Sequence, residues 1–354
     1  MIKLAQIAEQ YHDEVKKKYA KQMKGVHHQA LKQIMACHTP QAGAMLFHCD
    51  DCQTDNTLYP SCGHRHCPAC QHKSNSDWLS LQQQKLLPVD YYLVTFTLPY
   101  QCRHFVWTHQ KWAYQAMFCA AKQTIDAFFK RDKQLGENNG MILVLHTHSR
   151  QLEFHPHVHL VVPAGGLDKS KKHWQTKSGK YLFKADNLAK VFRGKFIALM
   201  CESGYYLPPK TPLSWVADCQ HVGKGDRALT YLARYLYRGV VNESNILSIE
   251  HDQVTFQYQE SKTKQFETIT EHATVFLWRV LQHVLPRGFR RARNYGFLHG
   301  NAKRTLTWLQ LILNVVIPPI EIVSKKGVCC PNCEAQMTLY LMRIGQRVIL
   351  GKTI

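Results

Sequence analysis

His155-Pro156-His157-Val158-His159-Leu160-Val161-Val162 is the stretch on which the reading of this chain turns. Alternate residues of a strand share a face, so as a strand this run aims His157 and His159 the same way and packs Val158 behind them. Two imidazoles so placed pre-form half of a divalent-metal site. Just upstream, Val144-Leu145-His146-Thr147-His148 reads as the partner strand of a hairpin turning near Arg150 to Leu152. A plausible register sets His146 opposite His157 and lets three imidazoles converge. His146 is therefore the expected third ligand, with His155 and His148 as alternatives. With 21 histidines in the chain a pair alone would carry little, but one followed directly by Leu-Val-Val reads as positioned.

Working outward, Tyr91 to Leu98 is β-branched and aromatic, a central strand closed by Pro99. Helical patterns follow over about Thr108 to Phe129 and Leu188 to Met200, with Met141 to Leu145 as a further strand. Val254 to Tyr258 and Gln265 to Thr270 read as a hairpin leading into a helix near Glu271 to Leu285. The alternation predicts an α+β fold.

A second constellation is Ala228-Leu229-Thr230-Tyr231-Leu232-Ala233-Arg234-Tyr235-Leu236-Tyr237-Arg238. At about 100° per residue, Leu229, Leu232, Ala233 and Leu236 form the buried stripe. Tyr231 and Tyr235 then share the other side with Arg227, Arg234 and Arg238. Two phenols one turn apart beside guanidinium groups suit attack on phosphate: arginine neutralises phosphoryl oxygens and favours the phenolate, which an unperturbed pKa of about 10 otherwise disfavours. A histidine metal site with a tyrosine pair describes a nuclease that needs neither activated water nor ATP. The stretch from Gly345 to Thr353 has the wrong spacing for a phosphate-binding loop.

Thirteen cysteines, an odd number with no export signal at the N-terminus, argue for metal ligation rather than a disulfide framework. Cys49-Asp50-Asp51-Cys52 and Cys67-Pro68-Ala69-Cys70 are two C-x-x-C knuckles at a spacing that suits four-thiolate structural zinc. Cys37, Cys62, His48, His64 and His66 lie near enough to substitute a ligand or hold a second ion. Cys330-Pro331-Asn332-Cys333 is half a site with no partner pair visible in the sequence.

Lysine and arginine outnumber aspartate and glutamate by 45 to 25, a formal charge of +20. That balance favours a polyanionic partner, nucleic acid first. Lys16, Lys17, Lys18, Lys21 and Lys24 could follow a phosphate backbone. Arg287, Arg290, Arg291, Arg293, Lys303 and Arg304, interleaved with Phe289, Tyr295 and Phe297, could hold a single strand by charge and stacking. Leu311 to Val323 is too interrupted to span a membrane, so a soluble, cytoplasmic, nucleoid-associated protein is expected. With no acidic cluster near the histidines, two-metal chemistry on three carboxylates has little support.

Several motifs in one order resemble the two-tyrosine HUH transposases of bacterial rolling-circle insertion sequences, the IS-ninety-one type. They are Ser61 to Cys70, Val94 to Pro99, Val144 to Thr147, His155 to Gly166, Val191 to Lys195, Tyr231 to Tyr235 and His283 to Phe289. The resemblance implies a nuclease domain with a central antiparallel sheet and magnesium or manganese on His157 and His159. It also implies Tyr231 and Tyr235 as alternating nucleophiles, with Arg234 between them, and a thiolate zinc domain. The expected organisation is a basic helical segment at 1–36, a zinc-binding domain at 37–85 and an HUH nuclease domain at 86–240. A DNA-contacting hairpin and helix at 241–305 and a C-x-x-C tail at 306–354 follow. The expected function is cleavage and rejoining of single-stranded DNA at element ends through 5′-phosphotyrosine intermediates. A replication initiator or relaxase, or a non-catalytic zinc-dependent DNA-binding protein, is the competing reading.

Overall fold

The apolar runs at residues 91–98 and 141–145 form strands buried on both faces. A computed structural model describes residues 1–70, 78–177, 179, 181–224, 229, 240–260, 263–316, 327–344 and 347–350. In chain order its helices and strands begin with α1 (Leu4–Lys18), α2 (Gly25–Ala36), β1 (Ala44–His48), β2 (Asp55–Leu58) and β3 (Asp90–Thr97). Next come α3 (Arg103–Thr108), α4 (Gln110–Arg131), β4 (Gly140–His148), β5 (Phe154–Pro163), β6 (Gly165–Leu167) and β7 (Trp174–Thr176). Then α5 (Ala185–Glu202), β8 (Val216–Lys224), β9 (Ile246–Glu250), β10 (Gln253–Gln259), β11 (Phe266–His272) and α6 (Ala273–Leu281) follow. The last are β12 (Ala292–Gly296), α7 (Lys303–Ile312), β13 (Thr338–Ile344) and β14 (Arg347–Leu350). The fold is α+β with antiparallel sheets, as expected. The helix expected over Ala228 to Arg238 lies outside the described residues except for Leu229.

Two compact units are each assembled from separated segments. One comprises Asn75–Tyr237 and Leu285–Pro318. Its five-stranded sheet runs in the order β12-β4-β5-β3-β8, every neighbouring pair antiparallel. Tyr92, Val94, Phe96, Met141, Leu143, Leu145, Val158, Leu160 and Val162 point to one face and share a core with the apolar residues of α4 and α5. There Phe96 stacks on Phe192 at 4.5 Å between ring centroids. Tyr91, Leu93, Ile142, Val144 and Val161 point to the other face and form a smaller cluster with Leu229, Phe297 and Leu309. Helices thus cover the first face over the length of the strands, and the second face is where the histidine-bearing ends of β4 and β5 project.

The other unit comprises Met1–Ser74, Arg238–Val284 and Pro319–Ile354. Leu4, Ile7, Ala8, Tyr11 and Val15 make the buried stripe of α1 at helical spacing. Around this stripe Tyr11 donates its hydroxyl to Asp252 at 2.7 Å. Past the end of α1, Tyr19 stacks on Trp278 of α6 at 4.8 Å. A three-stranded sheet, β11-β10-β9, lies in the same unit, as does a four-stranded sheet ordered β14-β13-β1-β2. The second sheet joins chain ends: Ala44 pairs with Arg343 and His48 with Thr338.

Candidate metal centres

On β4 and β5, His146 pairs with His157 in the register that the sequence suggested, and Val144 pairs with His159. Val158, between the two β5 histidines, is fully buried against the helices. The ligand atoms of His146, His157 and His159 lie within 4.8 Å of one another. Ring centroids are 5.2 Å apart for His146 and His157, 4.6 Å for His146 and His159, and 4.9 Å for His157 and His159.

Two of the rings are oriented from behind. The Nδ1 of His157 lies 2.7 Å from the carbonyl oxygen of His155. A carbonyl can only accept, so Nδ1 carries the proton and Nε2 keeps its lone pair. The Nδ1 of His159 lies 2.8 Å from the hydroxyl of Thr95, its register partner on β3. Such outer partners fix the tautomer and ring angle of a metal-binding imidazole. Thr95 was not singled out in the sequence, though it lies in the strand at 91–98 and in the motif Val94 to Pro99.

Burial lowers the His157 pKa to about 4. It also holds His146 and His159 well below the usual imidazole value, with the neighbouring imidazoles adding to the effect. All three are neutral near pH 7, the form that ligates a cation. The two alternatives for third ligand stand apart from this set. His155 meets the Arg103 guanidinium through Nδ1 at 2.6 Å. His148 pairs with Phe154 beyond an irregularity in the ladder.

The cysteines divide differently from the single site drawn from Cys49, Cys52, Cys67 and Cys70. Cys67 and Cys70 gather with Cys37 and Cys62, while Cys49 and Cys52 gather with Cys330 and Cys333. Spacing misled because the four ligands of a zinc site need not be the four nearest in sequence. In the first group Cys70 lies 3.6 Å from Cys37 and 3.5 Å from Cys62. In the second, Cys49 is 3.5 Å from Cys333, and Cys52 is 3.4 Å from Cys330 and 3.5 Å from Cys333. No disulfide is formed. Tetrahedral zinc with bonds near 2.3 Å separates its sulfurs by about 3.8 Å, so both groups match a thiolate cage. In the first group Cys62 is drawn down to about 5 by a hydrogen bond from Cys67, while burial pushes Cys37 up to about 11. A cation inside the group removes that conflict by holding all the sulfurs as thiolates. His48 pairs instead with Asp55 at 2.7 Å.

Of the basic residues, Arg287, Arg290, Lys303 and Arg304 are exposed, whereas Arg291 and Arg293 are half-buried. Arg293 donates to Gln115 at 2.6 Å and lies 4.4 Å over the ring of Phe118 and 5.0 Å over that of Phe289. The expected stacking partners Phe289 and Phe297 are core residues, 7% and 4% exposed. Phe289 belongs to the core shared with α4 and α5 and Phe297 to the cluster on the other sheet face, so neither ring offers a face to a base. Tyr231, Tyr235 and Arg234 lie outside the described residues.

With this geometry in place, the chain matches two protein families: residues 140–305 match the family described as "Putative transposase", and residues 7–98 match the "Transposase zinc-binding domain". The chain belongs to this family of transposases. It is 30% identical over 294 residues to "Putative transposase y4qJ" of Sinorhizobium fredii, covering 77% of this chain and 74% of the relative. It is also 26% identical over 297 residues to the "Transposase for insertion sequence element IS801" of Pseudomonas savastanoi pv. phaseolicola, covering 76% and 70% respectively. A transposase binds DNA and cuts and joins its strands, which accords with the charge of +20. The zinc-binding domain and the thiol groups assign structural zinc to the N-terminal region. No helix among the described residues is long and apolar enough to cross a membrane.

Proposed function

We propose that the chain cleaves and rejoins single-stranded DNA at insertion-sequence ends by tyrosine chemistry of the HUH type. The observation that carries this reading is the convergence of His146, His157 and His159, all neutral and two of them oriented from behind, on one face of the sheet in a chain of this family.

Those three imidazoles would hold a divalent ion, and as nitrogen donors they suit a transition-series ion such as manganese better than magnesium. When bound, the ion polarises the scissile phosphate. The phenolate of Tyr231 or Tyr235 attacks phosphorus, forming the Tyr–O–P bond as the bond to the 3′ oxygen breaks. The phenol's proton balances the one taken up by the departing 3′-hydroxyl. The 5′-phosphotyrosine conserves the bond energy for rejoining, so no ATP is consumed. With two tyrosines, one holds the first 5′ end while the other attacks a second strand. Arg234 would neutralise phosphoryl oxygens, and Arg287, Arg290, Lys303 and Arg304 would track the backbone. Action in the cytoplasm, at the nucleoid, follows from a DNA substrate.

The test is a denaturing gel of the purified chain with a labelled single-stranded oligonucleotide from the element's end, with manganese or magnesium and with EDTA. The expected product is a metal-dependent, protease-sensitive adduct that disappears when Tyr231→Phe and Tyr235→Phe are combined. Tight binding with no adduct under any metal would replace this reading by that of a zinc-dependent DNA-binding protein.

A further inference from the structure

The two loops Cys49–Gln53 and Cys330–Glu334 have the same backbone. In the first, the Cys49 amide donates to the Thr54 carbonyl at 3.0 Å and the Gln53 amide donates to the Cys49 carbonyl at 2.9 Å. In the second, the Cys330 amide donates to the Ala335 carbonyl at 2.8 Å and the Glu334 amide donates to the Cys330 carbonyl at 3.0 Å. The residue after each second cysteine is left-handed, Gln53 at φ 55° and Glu334 at φ 62°. Neither is glycine, so both turns bear a conformational cost that something must offset. The loops are also tied side to side: Asn332 donates to Thr54 at 3.0 Å and Thr338 to Asp50 at 3.2 Å. Two matched knuckles thus face each other and bring four sulfurs together from positions nearly 280 residues apart.

The core under this cage is small. Its buried residues are Phe47, Met337 and the two inner cysteines, Cys49 and Cys330. So little apolar surface does not offset the closure of so long a loop. The matched family domain ends at residue 98 and therefore contains only half of the cage.

We propose that Cys49, Cys52, Cys330 and Cys333 bind a second zinc ion. This ion is a clasp between chain ends, distinct from the one held by Cys37, Cys62, Cys67 and Cys70, and the pairing of β13 with β1 depends on it. The orphan C-x-x-C of the tail is then the completing half of a zinc ribbon whose first half lies in the N-terminal domain. The assignment stands whether or not the chain is a tyrosine nuclease, because it uses no residue of the histidine centre.

Two measurements on the full chain test it. Metal analysis of a His157→Ala/His159→Ala chain produced with zinc, in which the histidine centre cannot add to the count, should give two ions per chain, falling to one when Cys330→Ser/Cys333→Ser is added. One ion in the first chain, or two retained in the second, would overturn the proposal. Should the variant not fold, the unaltered chain still decides through mass-mapped alkylation under native conditions. Cys52 and Cys333 are solvent-exposed, as are Cys201 and Cys329 outside the cage. The proposal expects Cys201 and Cys329 to react at once and Cys52 and Cys333 only after chelation. Equal reactivity of all four, or a mass two units low from a Cys52–Cys330 or Cys49–Cys333 disulfide, would rule the clasp out.

Discussion

The histidine centre and the cysteine centres solve opposite problems. Three neutral imidazoles sit on adjacent strands of a sheet that already has a full core on its other face, so the fold does not need the ion. Three protein ligands also leave coordination positions for a substrate. Eight thiols gather instead in two groups of four, one of them over a small apolar core, and four sulfurs per cage leave no position free. On the proposed function, the difference separates an ion kept for chemistry from ions kept for structure.

The largest effect expected of that difference is on stability. Stripping zinc at neutral pH should cost the knuckle region on the order of 10 kcal/mol per structural ion. By hydrogen exchange, the amides of β1 and β13 should lose protection while those of β4 and β5 keep theirs. Protection of β1 and β13 that survives chelation would dissolve the contrast.

The reciprocal experiment is His159→Ala. Adduct formation should fall about a thousandfold or more, the several kcal/mol that a polarising ion supplies, with the zinc content and the unfolding midpoint in EDTA little changed. A variant that lost zinc or unfolded instead would make the imidazole structural too.

What could be read from the sequence follows the range of the determining interaction. Alternation along 155–162 and a hairpin register are local, so the facing of His146 and His157 was legible in the order of residues alone. The helix at 110–131 was legible for the same reason. The cage of Cys49, Cys52, Cys330 and Cys333 was not, because nothing local links a C-x-x-C to a partner nearly 280 residues away. Strand β12 was hidden because an edge strand with half-buried arginines reads as a solvated basic stretch. Strand β8, another edge, carries so polar a run that no apolar alternation marks it.

Thr95→Val sharpens the comparison within the histidine centre. The hydroxyl is 2.8 Å from the Nδ1 of His159 and valine keeps its shape. Metal affinity should fall by about 10- to 100-fold, the usual cost of losing an outer-shell partner, with zinc content unchanged. An unchanged affinity by titration calorimetry would leave Thr95 as packing alone.

The smallest effect tests whether the zinc-bearing unit is held by sulfur alone. Tyr11 is buried on α1 and donates to Asp252, a bond that joins residues 241 positions apart with no thiol involved. The bond to Asp252, then burial, raises the phenol's pKa from 10.0 to about 12. A folded-state pKa above the unfolded one means that the native state holds its proton more tightly. The contribution is therefore complete below pH 10 and is lost as the pH rises through about 12. Tyr11→Phe should cost about 1 kcal/mol near neutrality and flatten the alkaline loss of stability between pH 10 and 12. Denaturant titration of both chains at pH 7 and at pH 11 measures the difference. If the gap between them stayed constant across that window, Asp252 would not be holding the proton on Tyr11, and this segment would owe its place to apolar packing and to zinc.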